Sequence, residues 1–203
     1  MGRAARTFVG VACVVTLGAC QTGGADEGAV GFKVADAHGW IVETEPETAF
    51  TDGLEVLYPT EPVSFTITDV RLLPSDSGLE LVGASILGPD DRSLGATQWA
   101  ASYPPAPEDV SATTDALPDA IGYRVDAADI ADLMQNPNDA DGNPRMDGYE
   151  LLIGIEAPEA GKFERTSIAV DYESSRGTGT LAIDAGLVVC SGVPKATDFD
   201  CES

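Results

Sequence analysis

The feature that most constrains the fold is a stretch of alternating side chains near the carboxyl end of the chain. Leu181, Ile183, Ala185, Leu187 and Val189 are separated by single residues, most of them polar or small. Successive side chains of a β-strand point to opposite faces of a sheet, so this alternation places one apolar row against a core. The stretch therefore predicts a half-buried strand.

Two further strands are predicted just before it, over 149–155 and 168–172. The first is strongly apolar, and the second alternates apolar with polar or small residues. Turn residues separate the three stretches, at Pro158–Gly161 and Ser174–Gly177. Three consecutive strands joined by short turns predict a meander.

A second pair of strands is predicted in the first half of the chain. Residues 63–68 alternate apolar and polar side chains, and 70–73 continue the strand through a bulge or bend. The turn residues of Pro74–Gly78 follow, and 79–87 form the next apolar stretch. We expect these two strands to pair as a hairpin.

One helix is expected, over Ala127–Gln135. Asp126 is a candidate amino-terminal cap, and Ile130, Leu133 and Met134 form an apolar stripe at helical spacing. With shorter strand candidates near Phe32, Trp40, Leu54 and Ile121, and with 94–102 as a further one, the chain has about seven to nine strands. The predicted class is mainly β: an immunoglobulin-like two-sheet β-sandwich over 31–203, with one short helix in a long connection.

The amino terminus has the three parts of a secretory signal. Arg3 and Arg6 precede an uncharged apolar run of about 10 residues, whereas a membrane-spanning helix needs about 20. The run ends in Leu17-Gly18-Ala19-Cys20, which resembles the lipobox of bacterial lipoproteins. The resemblance implies a signal peptide over 1–19, a diacylglycerol on Cys20, palmitate among its acyl chains, a tether over 20–30, and a place on the extracytoplasmic face of the cell membrane.

Cys190 and Cys201 remain once the signal cysteine and the anchor cysteine are set aside. An even pair in an exported protein favours a disulfide. A metal or redox pair is the alternative, although no histidine lies nearby and the spacing differs from a CxxC motif.

The charge balance limits the partners. The chain carries 34 acidic and 11 basic residues, a net charge of −23, which argues against nucleic acid. No phosphate-binding glycine loop or serine nucleophile elbow occurs, and no cofactor is predicted. The single histidine, His38, is expected in an exposed turn.

Two weaker candidates for ligand sites remain. Asn138, Asp139, Asp141 and Asn143 resemble a calcium loop, since calcium prefers many oxygen ligands, but the EF-hand register and its closing glutamate are missing. An ordinary turn rich in Asn and Asp is the alternative.

Trp99 and Tyr103 form the second candidate, in the Pro-rich region. They are either a ligand platform or side chains that cover the core.

These observations favour a non-enzymatic binding or assembly module at the cell surface. It would be anchored to the membrane by lipid and would have an envelope protein or a glycan as its partner. An envelope hydrolase with a carboxylate pair is the first alternative, because acidic residues are abundant. A solute-binding component of a transporter is the second.

Overall fold

The computed structural model describes residues 30–33, 36–91, 99–106, 110, 117–138, 142, 145–146, 148–197 and 200–202. The signal peptide, most of the tether and Cys20 lie outside these ranges. The elements, in chain order, are β1 (Phe32–Lys33), β2 (His38–Thr44), β3 (Phe50–Pro59), β4 (Phe65–Leu73), β5 (Glu80–Leu87), β6 (Trp99–Ala100), β7 (Arg124–Val125), α1 (Ala127–Gln135), β8 (Tyr149–Glu156), β9 (Gly161–Arg165), β10 (Ser167–Ser174), β11 (Gly177–Ile183), β12 (Ala185–Ser191), β13 (Lys195–Thr197) and β14 (Asp200–Cys201).

The first sheet, here the β8 sheet, has the order β1-β3-β8-β5, with β6 also beside β3. Its central strand is apolar almost throughout because it is covered on both faces. Leu151, Ile153 and Ile155 belong to the main core, whereas Leu152 packs in a smaller cluster on the other side.

The second sheet, the β10 sheet, has the order β11-β10-β4-β7. The pairing of β4 with β10 shifts register after Ile67. Phe65 and Ile67 are buried before the shift, and Val70 and Leu72 after it. One extra residue restores the apolar row to the same face, which confirms the predicted continuation through a bulge.

The third sheet, the β12 sheet, has the order β2-β12-β9. Its β2 and β12 strands run parallel, with His38 opposite Ala185 and Thr44 opposite Ser191. The carboxyl-terminal β13 and β14 form a separate pair. The predicted disulfide is confirmed: Cys190 at the end of β12 is bonded to Cys201 in β14.

The main hydrophobic core joins the three sheets. It contains Ile153 from the β8 sheet, Val170 from the β10 sheet and Leu187 from the β12 sheet, all at most 1% exposed. The predicted mainly β class, with sheets packed on a common core and one short helix, is confirmed. The described strands form three sheets and one short pair, where two sheets were predicted.

Two predicted strand pairings are wrong. β4 and β5 do not form a hairpin, because β4 pairs with β10 and β7 while β5 pairs with β8. The meander is also absent: β8 lies in another sheet from β10, and the stretch from Leu181 to Val189 divides at Asp184 into β11 and β12. The hairpin of β10 with β11 is the part that holds. Alternating apolar residues determine which face of a strand is buried, but they do not determine which strand pairs with it.

The helix is confirmed over Ala127–Gln135, and its details differ from the prediction. Asp126 makes no capping bond with its side chain; the backbone N–H of Ala127 donates instead to Ser64 Oγ, at 2.8 Å. Ile130 and Leu133 are buried, but Met134 is 46% exposed. In the described part of the chain, no helix has the length and apolarity that a membrane span requires.

Candidate functional site

A buried cluster of charged side chains lies where the β12 sheet meets the β8 sheet. Arg165 ends β9, and Asp52 and Glu55 belong to β3. All three side chains are fully buried. Residues three apart in a regular strand point to opposite faces, but the pairing of β3 with β8 shifts register between Asp52 and Glu55. This irregularity lets both carboxylates reach one guanidinium.

Arg165 uses all three nitrogens of its guanidinium. Nη1 donates to Asp52 Oδ2, Nη2 donates to Glu55 Oε1 at 3.0 Å, and Nε donates to the carbonyl oxygen of Ala185 at 3.0 Å. The planar fork of arginine suits two acceptors at once, where a lysine would offer a single point charge. Arg165 therefore joins β9, β3 and β12 at one buried point.

His38 completes the cluster at the surface. Its Nε2 lies 3.1 Å from Glu55 Oε2 and its Nδ1 lies 3.3 Å from the carbonyl oxygen of Asp36. The imidazole is 27% exposed and lies against Trp40, with ring centroids 5.5 Å apart. The hydrogen bond to Glu55 raises the pKa of His38, and burial opposes the rise. The expectation of an exposed turn residue is wrong, since His38 opens strand β2 and holds a buried acid.

Asp52 is the least satisfied member of the cluster. Burial, followed by the charge of Glu55, raises the pKa of Asp52 to about 8, against the attraction of Arg165. Its Oδ1 is buried and has no hydrogen-bond partner among the described residues. A full negative charge on Asp52 is therefore stabilised through one oxygen only, which favours the protonated carboxyl.

A groove of about 320 Å³ lies beside this cluster, at one end of the β12 sheet. Its lining includes His38, Gly39, Arg165, Thr166, Asp184, Gly186 and Val188. Gly39 and Gly186 are paired in the parallel register of β2 and β12, and a Cβ at Gly39 would lie 3.0 Å from the carbonyl oxygen of Gly186. The two glycines keep the groove open, and Val188 gives it an apolar, half-exposed wall.

The groove and the cluster share side chains. His38 and Arg165 line the groove and also bind the buried acids Asp52 and Glu55. Two exposed acids, Glu164 and Asp184, are also among the lining residues. The arrangement is an apolar slot with negative charge at its edge and an ion cluster behind it.

The predicted calcium loop lies mostly outside the described residues. Asn138 is exposed, and Asp139, Asp141 and Asn143 are not described, so the calcium site stays a prediction. Arg145, just beyond the loop, donates to Asp132 and to the carbonyl oxygen of Asn136. Within the described ranges, no group of three or more His, Cys, Asp or Glu side chains is placed to hold a metal ion.

Of the second candidate, the aromatic platform, only Tyr103 has a described side chain. The side chain of Trp99 is not described, although its backbone in β6 pairs with β3. The Tyr103 ring packs on the paired glycines Gly83 and Gly154, and its hydroxyl lies 3.1 Å from Ser85 Oγ. Tyr103 therefore has a packing role, and a platform at Trp99 stays a prediction.

No pattern in the sequence predicted the charged cluster. With 34 acidic residues in the chain, the sequence alone does not single out one carboxylate pair. Two signals were present: Glu55 brings charge into the strand candidate near Leu54, with Asp52 just before it, and the only histidine lies just before the candidate near Trp40. Neither signal identifies Arg165 as the common partner, because that contact spans more than a hundred residues.

Comparisons with known proteins leave the family open. No protein-family profile and no curated protein sequence matches this chain. The solved structures that resemble it include the VesB protease of Vibrio cholerae, at 4% identity and a TM-score of 0.32, covering 80% of this chain and 32% of that one. They also include the CooA pilin subunit of enterotoxigenic Escherichia coli, at 12% identity and a TM-score of 0.35, covering 80% of this chain and 97% of that one.

The chain thus spans about a third of the VesB protease chain. Both TM-scores are below 0.5, so neither likeness bears on the function.

Proposed function

We propose that this chain is a lipid-anchored extracytoplasmic binding module that takes its ligand in the groove beside His38. The lipobox-like Leu17 to Cys20 supports the anchor, and the Cys190–Cys201 disulfide fits an oxidising compartment. The acidic chain would be repelled by anionic lipid surfaces, so the domain would stand away from its own anchor.

The groove is the observation that carries the proposal. Binding sites in proteins are concave, mostly apolar and largely formed before the ligand arrives. The glycine floor makes the groove without any movement of side chains, and the ion cluster fixes the walls at His38 and Arg165. A site built on three paired strands is rigid, so little ordering is needed on binding.

The lining indicates the ligand chemistry. Val188 and the glycine floor offer an apolar surface, whereas Glu164 and Asp184 place negative charge at the edge. A segment of an envelope protein with one apolar side chain next to a basic residue would contact the apolar surface with the first and the negatively charged edge with the second. A strongly anionic ligand would be disfavoured by a chain whose net charge is −23.

The buried acids fit this binding role better than the carboxylate-pair hydrolase. A glycosidase needs two carboxyl groups that face each other across a cleft. Here both Asp52 and Glu55 are bound to Arg165, and Glu55 also to His38. The pair is engaged within the protein, which leaves the groove itself as the place for a ligand.

The binding site can be tested in intact cells with a photo-crosslinking amino acid. We expect a probe in place of Val188 to capture a discrete partner, whereas a probe in place of Thr180, exposed on β11, captures none. The added substitution Gly186→Val should abolish the capture by filling the groove. A Cβ there would lie 3.5 Å from the nearest atom, which is an ordinary contact, and circular dichroism of the purified variant verifies that the two γ-methyl groups leave the fold intact. Equal capture from both probes, or capture that persists in Gly186→Val, would contradict the site.

The anchor is tested separately by feeding the cells labelled palmitate. We expect label on the mature protein and none on Cys20→Ala. An unlabelled wild-type protein released into the medium would contradict the anchor and leave the groove as an independent question.

A further inference from the structure

The charged cluster connects two sheets of the fold. His38 and Arg165 lie on β2 and β9, which are the two edge strands of the β12 sheet. Asp52 and Glu55 lie on β3 of the β8 sheet. Each ion contact in the cluster therefore crosses from one sheet to the other.

Without an added proton, the cluster has a net negative charge. Asp52 and Glu55 carry two negative charges when ionised, and Arg165 supplies one permanent positive charge. Neutrality requires one proton more, either on His38 or within the carboxyl pair. Because the acids are fully buried, an uncompensated charge there is costly, so loss of that proton should weaken the contacts.

We infer that His38, Asp52, Glu55 and Arg165 form a proton-operated clasp that holds β2 against the β8 sheet and loosens when the cluster loses its exchangeable proton. The clasp would be closed in mildly acidic surroundings and would open as the pH rises. It goes beyond the proposed binding function, because the clasp can act whether or not the groove takes a ligand.

The groups around His38 support this direction. From β3, Glu55 accepts its hydrogen bond and Asp52 adds negative charge, and the carbonyl oxygen of Asp36 contacts the other ring nitrogen. From β9 comes Arg165, which neutralises part of that negative charge. The contacts of His38 with Glu55, Asp36 and Asp52 raise its pKa, and only burial lowers it. Burial raises the pKa of Asp52. Either group can therefore hold the balancing proton in the folded state at a pH where the free side chain has begun to lose it.

The other charged side chains near the groove are exposed. Glu164 is paired with Lys162 at 2.7 Å, and Asp184 precedes β12 in the chain. They add negative charge at the rim, which also favours the protonated imidazole. Because water screens them, we expect them to adjust the midpoint of the clasp without creating it.

The sequence provides a direct experimental handle, since the chain has one histidine. On the full chain purified in detergent, the single imidazole resonance should titrate above its ordinary value of 6.5. Hydrogen-exchange protection factors for β2 amides, normalised to the intrinsic rate at each pH, should fall as the cluster loses its balancing proton, whether that proton leaves His38 or the carboxyl pair. One linked proton gives at most about a tenfold fall for each pH unit.

A balanced variant provides the decisive control. His38→Gln combined with Asp52→Asn leaves Arg165 and Glu55 as a neutral pair at every pH in the range, so β2 protection should no longer depend on pH. Asp171→Asn, in the exposed pair with Arg71, should behave as the wild type. The inference is overturned if β2 protection stays constant as the pH rises through the titration of both His38 and the buried carboxyl pair. It is also overturned if the balanced variant keeps the wild-type pH dependence. Should the balanced variant fail to fold, the two wild-type titrations decide alone.

Discussion

Arg165 and Arg145 each bind two acidic side chains, but the pKa of an acid beside Arg165 is raised, whereas the pKa of an acid beside Arg145 is lowered. We call these two groups of side chains the buried centre and the exposed centre. At Arg165, the acids Asp52 and Glu55 are fully buried. At Arg145, the arginine side chain is only 9% exposed, but those of Asp90 and Asp132 are 55% and 54% exposed. The hydrogen bond from Arg145 lowers the pKa of Asp132, whereas burial raises the pKa of Asp52 to about 8.

The difference shows that burial of the acid, and not the presence of an arginine, decides whether the pKa of the acid is raised or lowered. At an exposed carboxylate, water already stabilises the charge, so the arginine adds to it. At a buried carboxylate, the same arginine must first compensate for the lost water, and one guanidinium shared by two acids does not suffice. The buried centre therefore stores a proton, and the exposed centre releases one.

The largest expected effect comes from removing each arginine in turn. Arg165→Met leaves two buried acids without their cation, and we expect it to cost roughly 3 to 5 kcal/mol of unfolding free energy. Arg145→Met leaves acids that water can solvate, and about 1 kcal/mol or less should be lost. Urea unfolding at pH 7 measures both. Similar losses would mean that burial does not separate the two centres.

A loss of that size can prevent folding of Arg165→Met, so a milder pair of variants is needed beside it. Arg165→Lys and Arg145→Lys keep the charge and remove the fork that binds two acids. The change at Arg165 should still be the more damaging of the two, because a single ammonium must serve Asp52, Glu55 and the carbonyl oxygen of Ala185.

A second, intermediate effect is the pH dependence of Asp52→Asn. Asp52 has an ordinary pKa of 3.8 and titrates at about 8 in the fold. Between these values the folded chain holds a proton that the unfolded chain has lost, so wild-type stability falls as the pH rises. The amide of the variant does not titrate, so this loss is absent from it.

The stability of Asp52→Asn relative to wild type should therefore improve by about 1.4 kcal/mol for each pH unit within that interval. Urea midpoints at pH 5, 6 and 7 measure it. A constant difference between the two proteins would mean that Asp52 is ionised throughout, as Asp132 is.

The same contrast explains what could be read from the sequence. Local patterns were sufficient for α1, for the hairpin of β10 with β11, and for the disulfide of Cys190 with Cys201. Each depends on residues close together in the chain, where periodicity, turn residues or a cysteine count carry the information.

Contacts between distant segments could not be read in this way. The parallel pairing of His38 with Ala185 joins strands from opposite ends of the domain, and the sequence of neither strand indicates which strand it pairs with. The division at Asp184 follows from the change of sheet there, whereas the burial alternation from Ile183 to Val189 continues across it. The charged cluster depends on both features, so it emerged only with the tertiary structure.

The smallest expected effect belongs to the exposed centre. Asp132 accepts hydrogen bonds from Arg145 and Asn136, and these lower its pKa from 3.8. Its contribution to stability is therefore present above that value and is lost as the pH falls through the lower value of the folded state. Asp132→Asn should be slightly less stable than wild type near neutral pH, and the difference should shrink as the pH falls below 3.8. Urea midpoints from pH 7 down to pH 3 measure this convergence, with Asp76→Asn, in the turn after β4, as the control. Curves that separate further in acid would mean that Asp132 is held protonated, and the contrast with Asp52 would disappear.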